Sequence, residues 1–266
     1  MTEPTPNTQA QAKDEVSALA RGIAVMAAVS KSAVPVSNRD LVEATGIPKA
    51  TVSRIASTLV AAGYLTQQAD SERYSLGAAL LELSNAYLRN FDVRSHARLH
   101  LAEVAESAGA AVHLSVRDGL DMVLIDSMRP RSAVILSRLD VGSRMSLATS
   151  ASGRAYIASV EPAQREALLE QIREAAGKDW PAQKARLEAS LREYAQLGYC
   201  SSFRDWHQDI HAIGVTVNGP RGEIYGVSCG GPAYLLPKKL MRDKIAPRLV
   251  EVGRLISKEA GSELGG

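Results

Sequence analysis

The sequence contains only two cysteines, Cys200 and Cys229, among its 266 residues. This pair forms neither a disulfide framework nor the ligand spacing of a structural zinc site. We therefore expect both thiols to be reduced, as is usual in the cytoplasm. A cytoplasmic location is the first expectation from the sequence.

Long apolar runs are absent as well, since no uninterrupted apolar segment is long enough to span a bilayer. No membrane partner is therefore expected. The N-terminal stretch MTEPTPNTQAQAKDE lacks the apolar core of a signal peptide, and we expect residues 1–15 to form a polar, disordered tail. Apolar residues make up 45 % of the chain and charged residues 23 %, which is typical of a globular protein with one large or two ordinary domains.

Common enzyme motifs are also missing, because no phosphate-binding loop, dinucleotide fingerprint or metalloprotease motif is present. We predict no catalytic residue, no cofactor and no metal ligand set. The segment VSCGGP contains Cys229, and a cysteine nucleophile would need a positioned base and an oxyanion site. Sequence spacing alone leaves open a cysteine- or metal-dependent enzyme.

Acidic residues are missing from one window, between Glu43 and Asp70, which contains Lys49 and Arg54. The net charge of the whole chain is only +2. The local charge of this window is therefore positive in a nearly neutral protein. Such a window is expected to attract a phosphate backbone.

The same window has the pattern of two short helices around a tight turn. One apolar helical pattern ends at Gly46, and a second begins behind Pro48 and ends at Gly63. The stripe of the second helix that we expect to be buried consists of Val52, Ile55, Leu59 and Val60. An earlier helical pattern, VSALARGIAVMAAVSKS, places on one inward face Val16, Leu19, Ile23, Met26 and Ala27. With the hairpin pattern of YLTQQ and RYSLG, these helices predict a winged helix-turn-helix over residues 16–76.

A recognition helix presents its N-terminal end to the major groove, where Arg or Lys reads guanine and Ser or Thr reads bases or phosphates. On the hairpin, Arg73 is expected to touch the minor groove or the backbone as a wing. The predicted DNA contacts are Ser37, Asn38, Lys49, Ala50, Thr51, Ser53, Arg54, Ser57 and Arg73. The alternative is that the helix pair is a plain packing unit.

After residue 76, the spacing of apolar residues divides the chain into three segments. A continuous helical pattern over residues 77–91 predicts a linker helix. Over residues 92–260, helices alternate with β-type runs that end in turns such as Asp118-Gly119, which predicts an α+β domain with a mainly antiparallel sheet. The β-type runs are AVHLSVRDG, DMVLIDSM, AVILSRLDVG, IHAIGVTVNG and IYGVSCGG. Residues 261–266 are expected to form a flexible tail.

The segment ATSASGRA lies at a predicted strand-to-helix transition. Hydroxyl groups, free backbone N–H groups and the positive end of a helix dipole converge there, which suits a carboxylate. The effector contacts predicted from this segment are Thr149, Ser150, Ala151 and Gly153. An ordinary helix N-cap is the alternative.

Three further segments are expected to form the remaining walls. If FRDWHQDIHAIG forms a strand, one of its sides carries Asp205, His207, Asp209 and His211. This cluster could titrate, hold a polar ligand or, less readily, bind a metal. The effector contacts predicted from the segment are Asp205, Trp206, His211 and Ala212. The segment YGVSCGGP adds Ser228 and Gly230, and the predicted apolar floor is Leu124, Ile125, Ile135 and Leu136. We expect His113 to be structural.

These pieces together resemble the IclR-type bacterial transcriptional regulators from about residue 18 to residue 258. The resemblance is carried, in the family's order, by ALARGIAVMAAV, DLVEATGIPKATVSRIASTLVAAGYL, RYSLGAALLELSNAYL, AVHLSVRDG, VGSRMSLATSASGRAYIA and CGGP. It implies an N-terminal winged helix-turn-helix, a linker helix and a C-terminal ligand-sensing domain. It also implies a dimer or tetramer that binds operator DNA and responds to a small molecule, often an organic acid or an aromatic breakdown product.

Departures from the family pattern cluster in the sensing domain. Asp205 keeps an acid of the family pattern, whereas Asp209 and Thr216 replace the usual Gly and Pro. The family's Thr-Ala-x-Gly-Lys and Ser-x-Ser-Gly-Pro stretches read here Ser150-Ala151-Ser152-Gly153-Arg154 and Ser228-Cys229-Gly230-Gly231-Pro232. We expect the fold to survive these changes, although the ligand need not be that of any relative.

The sequence as a whole predicts a ligand-responsive regulator, more readily a repressor than an activator, that binds double-stranded operator DNA. The predicted effector is an organic or aromatic carboxylic acid or a close derivative. Besides the enzyme named above, a DNA-binding protein without a ligand remains the alternative, although it would leave the C-terminal domain unexplained.

Overall fold

The computed structural model describes residues 17–131 and 139–262. The chain forms two compact units, which are divided between Asn90 and Phe91. Among the described helices, none is long and apolar enough to cross a membrane.

The first unit is a winged helix-turn-helix, as predicted. Its strands β1 and β2 pair antiparallel, with Leu65 opposite Leu76. Its elements are α1 (Ser17–Ser30), α2 (Asn38–Thr45), α3 (Lys49–Ala61), β1 (Leu65–Gln67), β2 (Tyr74–Leu76) and α4 (Ala79–Leu88). Between α2 and α3, Gly46 adopts φ 67°, a left-handed conformation that glycine reaches without steric cost. This glycine produces the sharp turn that defines the motif.

The core of the first unit corrects the predicted inward face of α1. Leu19 and Ile23 are 63 % and 54 % exposed, whereas Val25 and Val29 are buried. The helix is rich in small apolar residues, so the helical period fits a face on either side. Val25 and Val29 form the buried face because they pack in one cluster with Val36, Leu41, Ile47, Val52, Ala56, Leu65 and Tyr74. In α3, the predicted stripe is confirmed, with Ala56 as an additional fully buried member.

The second unit is built on a six-stranded sheet with the order β5-β4-β3-β8-β7-β6, in which every neighbouring pair is antiparallel. The strands are β3 (Ala111–Asp118), β4 (Asp121–Met128), β5 (Arg144–Ser146), β6 (Cys200–Phe203), β7 (Ile210–Asn218) and β8 (Ile224–Pro232). The helices are α5 (Val93–Ala108), α6 (Ala151–Ser159), α7 (Pro162–Ala176), α8 (Trp180–Leu197), α9 (Lys238–Leu240) and α10 (Ala246–Ser262). The predicted α+β class is therefore confirmed.

Helices cover both faces of this sheet. On β7, a Cβ at Gly214 would lie 2.2 Å from the carbonyl carbon of Ala151 in α6. The next residue, Val215, approaches Gly253 of α10. Because successive strand residues point to opposite faces, α6 and α10 pack on opposite sides of the sheet. The N-terminus of α6 therefore rests directly on the backbone of β7.

Two predicted β-type runs differ from the observed strands. In FRDWHQDIHAIG, β7 begins only at Ile210, and residues 204–209 form a turn in which Arg204 has φ 72°. The expected alternation of Asp205, His207 and Asp209 along a strand is therefore wrong. The predicted run AVILSRLDVG falls mainly in 132–138, outside the described residues, as do Ile135 and Leu136, and its described end at 139–142 is not a strand. The predicted tail over 1–15 also lies outside the described residues, whereas α10 continues through Ser262 into the predicted C-terminal tail.

Candidate DNA-binding and effector-binding sites

The exposed N-terminal half of α3 forms the candidate DNA-binding surface. The side chains of Lys49, Ala50 and Arg54 are exposed, and Lys49 and Arg54 have no ion-pair partner among the described residues. Ser57 is exposed and Thr51 half-buried on the same helix. A concave surface between α2, α3 and the hairpin is lined by Ser37, Asn38, Arg39, Val42, Lys49, Ser53, Ser71, Glu72 and Tyr74. Lys49, which lines this concavity, and Arg54, which is exposed further along α3, can each approach phosphates or base edges.

Three of the predicted DNA contacts already have partners inside the first unit. The Ser37 hydroxyl accepts a hydrogen bond from the Asp40 N–H, and the Asp40 carboxylate accepts one from the Ser37 N–H at 2.8 Å. This reciprocal pair is a capping box that begins α2. The Asn38 amide donates to the Ser53 hydroxyl at 2.5 Å. The bond between Asn38 and Ser53 joins α2 to α3. The Ser53 hydroxyl still has a proton to donate.

Arg73, the predicted wing contact, also has partners within the first unit. Its guanidinium donates to the carbonyl oxygen of Pro35 at 3.0 Å and lies 3.5 Å from the Asp40 carboxylate. It therefore joins the hairpin to the start of α2. The hairpin turn also carries Asp70 and Glu72, whose negative charges oppose a phosphate backbone.

In the second unit, a small cavity lies between the N-terminus of α6 and the ends of the central strands. Its volume is about 30 Å³. The cavity is lined by His113, Leu139, Met145, Ser150, Ala151, Ser152, Ser202, Trp206, Ile210, Ala212, Ser228, Gly230 and Gly231. Six predicted effector contacts lie on this wall: Ser150, Ala151, Trp206, Ala212, Ser228 and Gly230. No Lys or Arg side chain belongs to the wall as far as the chain is described.

The polar end of the cavity is the start of α6. The Ser150 hydroxyl caps this helix by accepting a hydrogen bond from the Gly153 N–H at 3.1 Å. The Ser152 side chain is fully buried, and its hydroxyl has no hydrogen-bond partner within the described residues. The first N–H groups of a helix have no acceptor within it, and the dipole makes this end positive. The site therefore offers hydrogen-bond donors and partial positive charge to an anion.

Glycines make this position of α6 possible. A Cβ at Gly153 would lie 2.3 Å from the carbonyl oxygen of Leu147, which no side chain could occupy. Together with Gly214, it lets the start of α6 lie against the backbone of the sheet. Gly153 was predicted as an effector contact, but it does not line the cavity. Its role in the structure is close packing.

His113 lies on the cavity wall, although the sequence suggested only a structural role. Its Nδ1 is 3.1 Å from the Ser127 hydroxyl. The pKa of His113 is lowered to about 4, mainly by burial and also by the Arg129 guanidinium, while Asp140 opposes the shift. The imidazole is therefore neutral at pH 7, able to donate or accept a hydrogen bond but not to act as a cation.

Three more of the predicted effector contacts, Leu124, Ile125 and Thr149, lie away from the wall. Leu124 belongs to the buried cluster around Met145 and Leu147, and Ile125 is fully buried but does not line the cavity. The Thr149 carbonyl oxygen accepts from the Ser202 hydroxyl at 2.8 Å. Their places off the wall could not be predicted, because periodicity identifies a buried face without separating core from cavity wall.

His211 lies on the opposite face of the sheet. Its neighbour Ala212 lines the cavity, so strand alternation turns His211 away from it. There its Nδ1 is 2.8 Å from the carbonyl oxygen of Leu236. The predicted contact of His211 with an effector is therefore wrong for this cavity.

Asp205 is held by arginines rather than aimed into the cavity. Its carboxylate accepts a hydrogen bond from Nη1 of Arg154 at 2.8 Å and lies 3.6 Å from Nη1 of Arg186. Arg154 is almost completely buried and also donates to the carbonyl oxygens of Ala148 and Ser201. The predicted effector contact of Asp205 is thus replaced by an ion pair with α6.

The thiols and carboxylates do not assemble a reactive centre in the described part of the chain. Cys200 and Cys229 are fully buried, and burial raises the pKa of Cys229 to about 12 and also raises the pKa of Cys200. Both thiols therefore stay protonated at neutral pH, when a nucleophile would need a thiolate. Within the described residues, no group of three His, Cys, Asp or Glu side chains is arranged to hold a metal ion.

Comparisons with known proteins agree with this architecture. Residues 85–258 match the model of the bacterial transcriptional regulator IclR C-terminal domain, and residues 18–69 match the IclR helix-turn-helix domain. The chain is 32 % identical to the HTH-type transcriptional regulator TsaQ1/TsaQ2 of Comamonas testosteroni over 247 residues, which is 92 % of this chain and 88 % of that protein.

Solved structures show the same fold. An IclR family transcriptional regulator from Brucella abortus is 34 % identical, with a TM-score of 0.76 over 97 % of this chain and 96 % of that one. An IclR homolog from Microbacterium hydrocarbonoxydans, solved in complex with 4-hydroxybenzoate, has a TM-score of 0.70 at 21 % identity, over 93 % and 98 % of the two chains. At this lower identity the likeness concerns the fold alone.

The chain belongs to the IclR family of bacterial transcriptional regulators. Its helix-turn-helix is a DNA-binding domain, and its C-terminal domain is an effector-binding domain. This family consists of transcriptional regulators, so the protein is a regulator and not an enzyme. The family resemblance predicted from the sequence is therefore confirmed.

Proposed function

We propose that this protein is a cytoplasmic repressor that binds operator DNA as a dimer or tetramer and is controlled by a small carboxylic acid. The observation that carries this proposal is the Ser152 hydroxyl, buried and unpartnered among the described residues, in the cavity at the start of α6. A buried hydroxyl without a partner costs stability. A ligand that accepts its hydrogen bond therefore gains free energy on binding.

The chemistry of the wall supports an acid with an apolar body. The start of α6 favours a carboxylate, and the neutral imidazole of His113 can donate one further hydrogen bond. Trp206, Leu139 and Met145 face the same space and suit an aromatic ring or a short aliphatic chain. The 4-hydroxybenzoate bound by the Microbacterium protein has this combination of groups.

The effector must also change the cavity. A volume of about 30 Å³ holds about two water molecules. A benzoate-sized acid therefore requires wall residues to move. We propose that the ligand favours one arrangement of the protein over another and shifts the population by its differential affinity.

On DNA, two copies of the chain would present two α3 helices to a roughly palindromic operator. The half-site spacing would then follow from the geometry of the dimer. Lys49 and Arg54 are exposed on this helix and are the proposed contacts to phosphates and bases. The proposed response couples the acid in the cavity to the affinity of this surface for DNA.

A gel-shift experiment with the DNA upstream of the protein's own gene tests this function. The panel contains acetate, benzoate and 4-hydroxybenzoate, with benzamide as the matched uncharged control. We expect a salt-sensitive shift that an aromatic acid releases and that benzamide leaves intact. The salt dependence would report the phosphate contacts.

Other outcomes would contradict specific parts of the proposal. A shift that no acid changes would favour a DNA-binding protein without an effector. A compound that strengthens the shift would contradict release as the mode of control. Absence of a shift at low salt would contradict binding to this promoter.

A further inference from the structure

Trp206 is a cavity wall residue that lies outside regular secondary structure. It belongs to the turn of residues 204–209 between β6 and β7, and its side chain packs against the core cluster beneath α6. Most other wall residues lie on strands or at the start of α6. When an effector enlarges this cavity, a side chain carried on a turn can move more readily than one carried on a strand or helix.

Asp205 forms the ion pairs that join the turn to the helices. Its own internal bonds join Arg204 to Gln208 and Ile210, which fix the shape of the turn but not its position over the cavity. The Asp209 carbonyl oxygen accepts from the Ala233 N–H and ties the far end of the turn to the end of β8. The Asp205 carboxylate is the side chain that reaches α6 and α8.

The partner of Asp205 is Arg154, a buried residue of α6 behind the cavity wall. Arg154 lies one turn after the start of α6, where its guanidinium also binds the carbonyl oxygens of Ala148 and Ser201. These bonds fix the guanidinium, so the carboxylate that meets it has a defined position. Trp206, the next residue, donates its backbone N–H to the Ser202 hydroxyl, which in turn donates to the Thr149 carbonyl oxygen. Hydrogen bonds through Ser202 thus connect the turn to Thr149, just before the start of α6.

We propose that the ion pair between the buried Arg154 and the half-buried Asp205 positions Trp206 as the wall residue that sets which acids the cavity accepts. Arg154 and Asp205 are positioning residues, and Trp206 is the specificity-determining residue. With the pair intact, the indole closes the apolar side and favours single-ring acids. With the pair broken, the turn moves outward and bulkier acids enter. This inference rests on the proposed effector site.

The first test needs no effector. The full chain has two tryptophans, Trp180 and Trp206, so Trp180→Phe leaves a single fluorophore. In this background we compare acrylamide quenching of Trp206 between the parent, Asp205→Asn and Asp209→Asn. Asp209 is a matched control because it is an exposed carboxylate of the same turn. We expect stronger quenching only in Asp205→Asn, and equal quenching in all three would overturn the inference.

A second variant tests whether stronger quenching in Asp205→Asn arises only from unfolding of the protein. Asp205→Asn leaves the Arg154 charge buried without its carboxylate, which can destabilise the fold. The double variant Arg154→Met with Asp205→Asn removes both charges. It should bind operator DNA like the parent and still show stronger quenching. If the folded double variant keeps Trp206 as protected as the parent does, the ion pair does not position it.

The second test measures selectivity with benzoate and 2-naphthoate as probes. In the parent we expect benzoate to bind more tightly, and in the double variant the ratio of the two affinities should move toward 2-naphthoate by about tenfold. An unchanged ratio would contradict the role of the pair in selectivity. If the parent binds neither acid, the proposed effector class fails, while the quenching experiment still decides whether the pair positions Trp206.

Discussion

His113 is a titratable residue that burial keeps uncharged on the cavity wall. Its pKa is lowered from 6.5 to about 4 in the folded protein. Between these two values the unfolded chain binds a proton that the folded chain does not bind. The free energy of unfolding therefore decreases as pH falls from about 6.5 toward 4, by at most about 3 kcal/mol from this residue.

Urea unfolding of the full chain at pH 7 and at pH 4.5 measures this contribution. We expect His113→Gln to lose less stability between the two pH values than the parent does. The matched control is His207→Gln, because His207 is a largely exposed histidine of the same unit. An identical pH dependence in His113→Gln and in the parent would mean that the folded protein binds this proton as readily as the unfolded chain.

Gly153 is the residue where packing leaves no space for a side chain. A Cβ at this position would lie 2.3 Å from the Leu147 carbonyl oxygen, so Gly153→Ala must displace the start of α6. We expect a loss of about 2 kcal/mol or more in the free energy of unfolding, measured by urea denaturation. Gly22→Ala is the control in a helix with no atom within 4 Å, and it should gain about 0.5–1 kcal/mol. Similar changes in both variants would contradict the close packing.

At the scale of elements, the capping box at Ser37 defines the start of α2. Ser37→Ala removes the acceptor of the Asp40 N–H, and we expect the helix-turn-helix to lose about 1 kcal/mol in its free energy of unfolding. Ser57→Ala on the exposed side of α3 is the matched control and should be close to neutral. Hydrogen exchange of the α2 amides measures the effect locally. Unchanged exchange in Ser37→Ala would show that the cap does not stabilise this helix.

The elements of the first unit could be predicted because their signals are local. Ser37, Gly46 and Gly63 mark helix ends within a few residues of chain, and the observed bounds follow them. The inward face of α1 could not be predicted in the same way. Apolar residues occur around most of that helix, and only contact with α2 and α3 selects Val25 and Val29.

The candidate site was only partly predictable for a related reason. The start of α6 has a local signature, so Ser150 and Ala151 were found on the cavity wall. His113 and Ser202 come from strands far away in the sequence, and their meeting depends on the strand order β3-β8-β7-β6. The turn at 204–209 was read as a strand because its residues alternate in polarity, whereas Arg204 reverses the chain there.

At the scale of the whole molecule, the chain contains a DNA-binding unit and an effector-binding unit. Arg54→Ala should weaken operator binding by about 1–3 kcal/mol and relax specificity at one base position if Arg54 reads a base. Arg173→Ala is the control because Arg173 is an exposed arginine of the second unit that pairs with Glu170. A gel shift with operators altered one base at a time measures both effects. A uniform loss across these operators would make Arg54 a phosphate contact, and no loss would remove it from the interface.

The central claim is that the cavity at the start of α6 binds the effector, and Ser152 is the residue whose replacement tests it most directly. Its hydroxyl is buried without a partner in the described structure, so Ser152→Ala removes a polar group that costs stability in the free protein. The same change removes a hydrogen-bond donor from the bound acid. If Ser152 instead stabilised the fold, its replacement by alanine would lower both the stability of the free protein and its affinity for the acid.

The most direct measurement is therefore one pair of titrations on the parent and Ser152→Ala. Urea unfolding without ligand is compared with calorimetric binding of the acid that releases the operator. We predict that Ser152→Ala unfolds at the same or a higher urea concentration and binds the acid about tenfold more weakly. Equal affinity of the two proteins for the acid would contradict the claim that this cavity is the effector site.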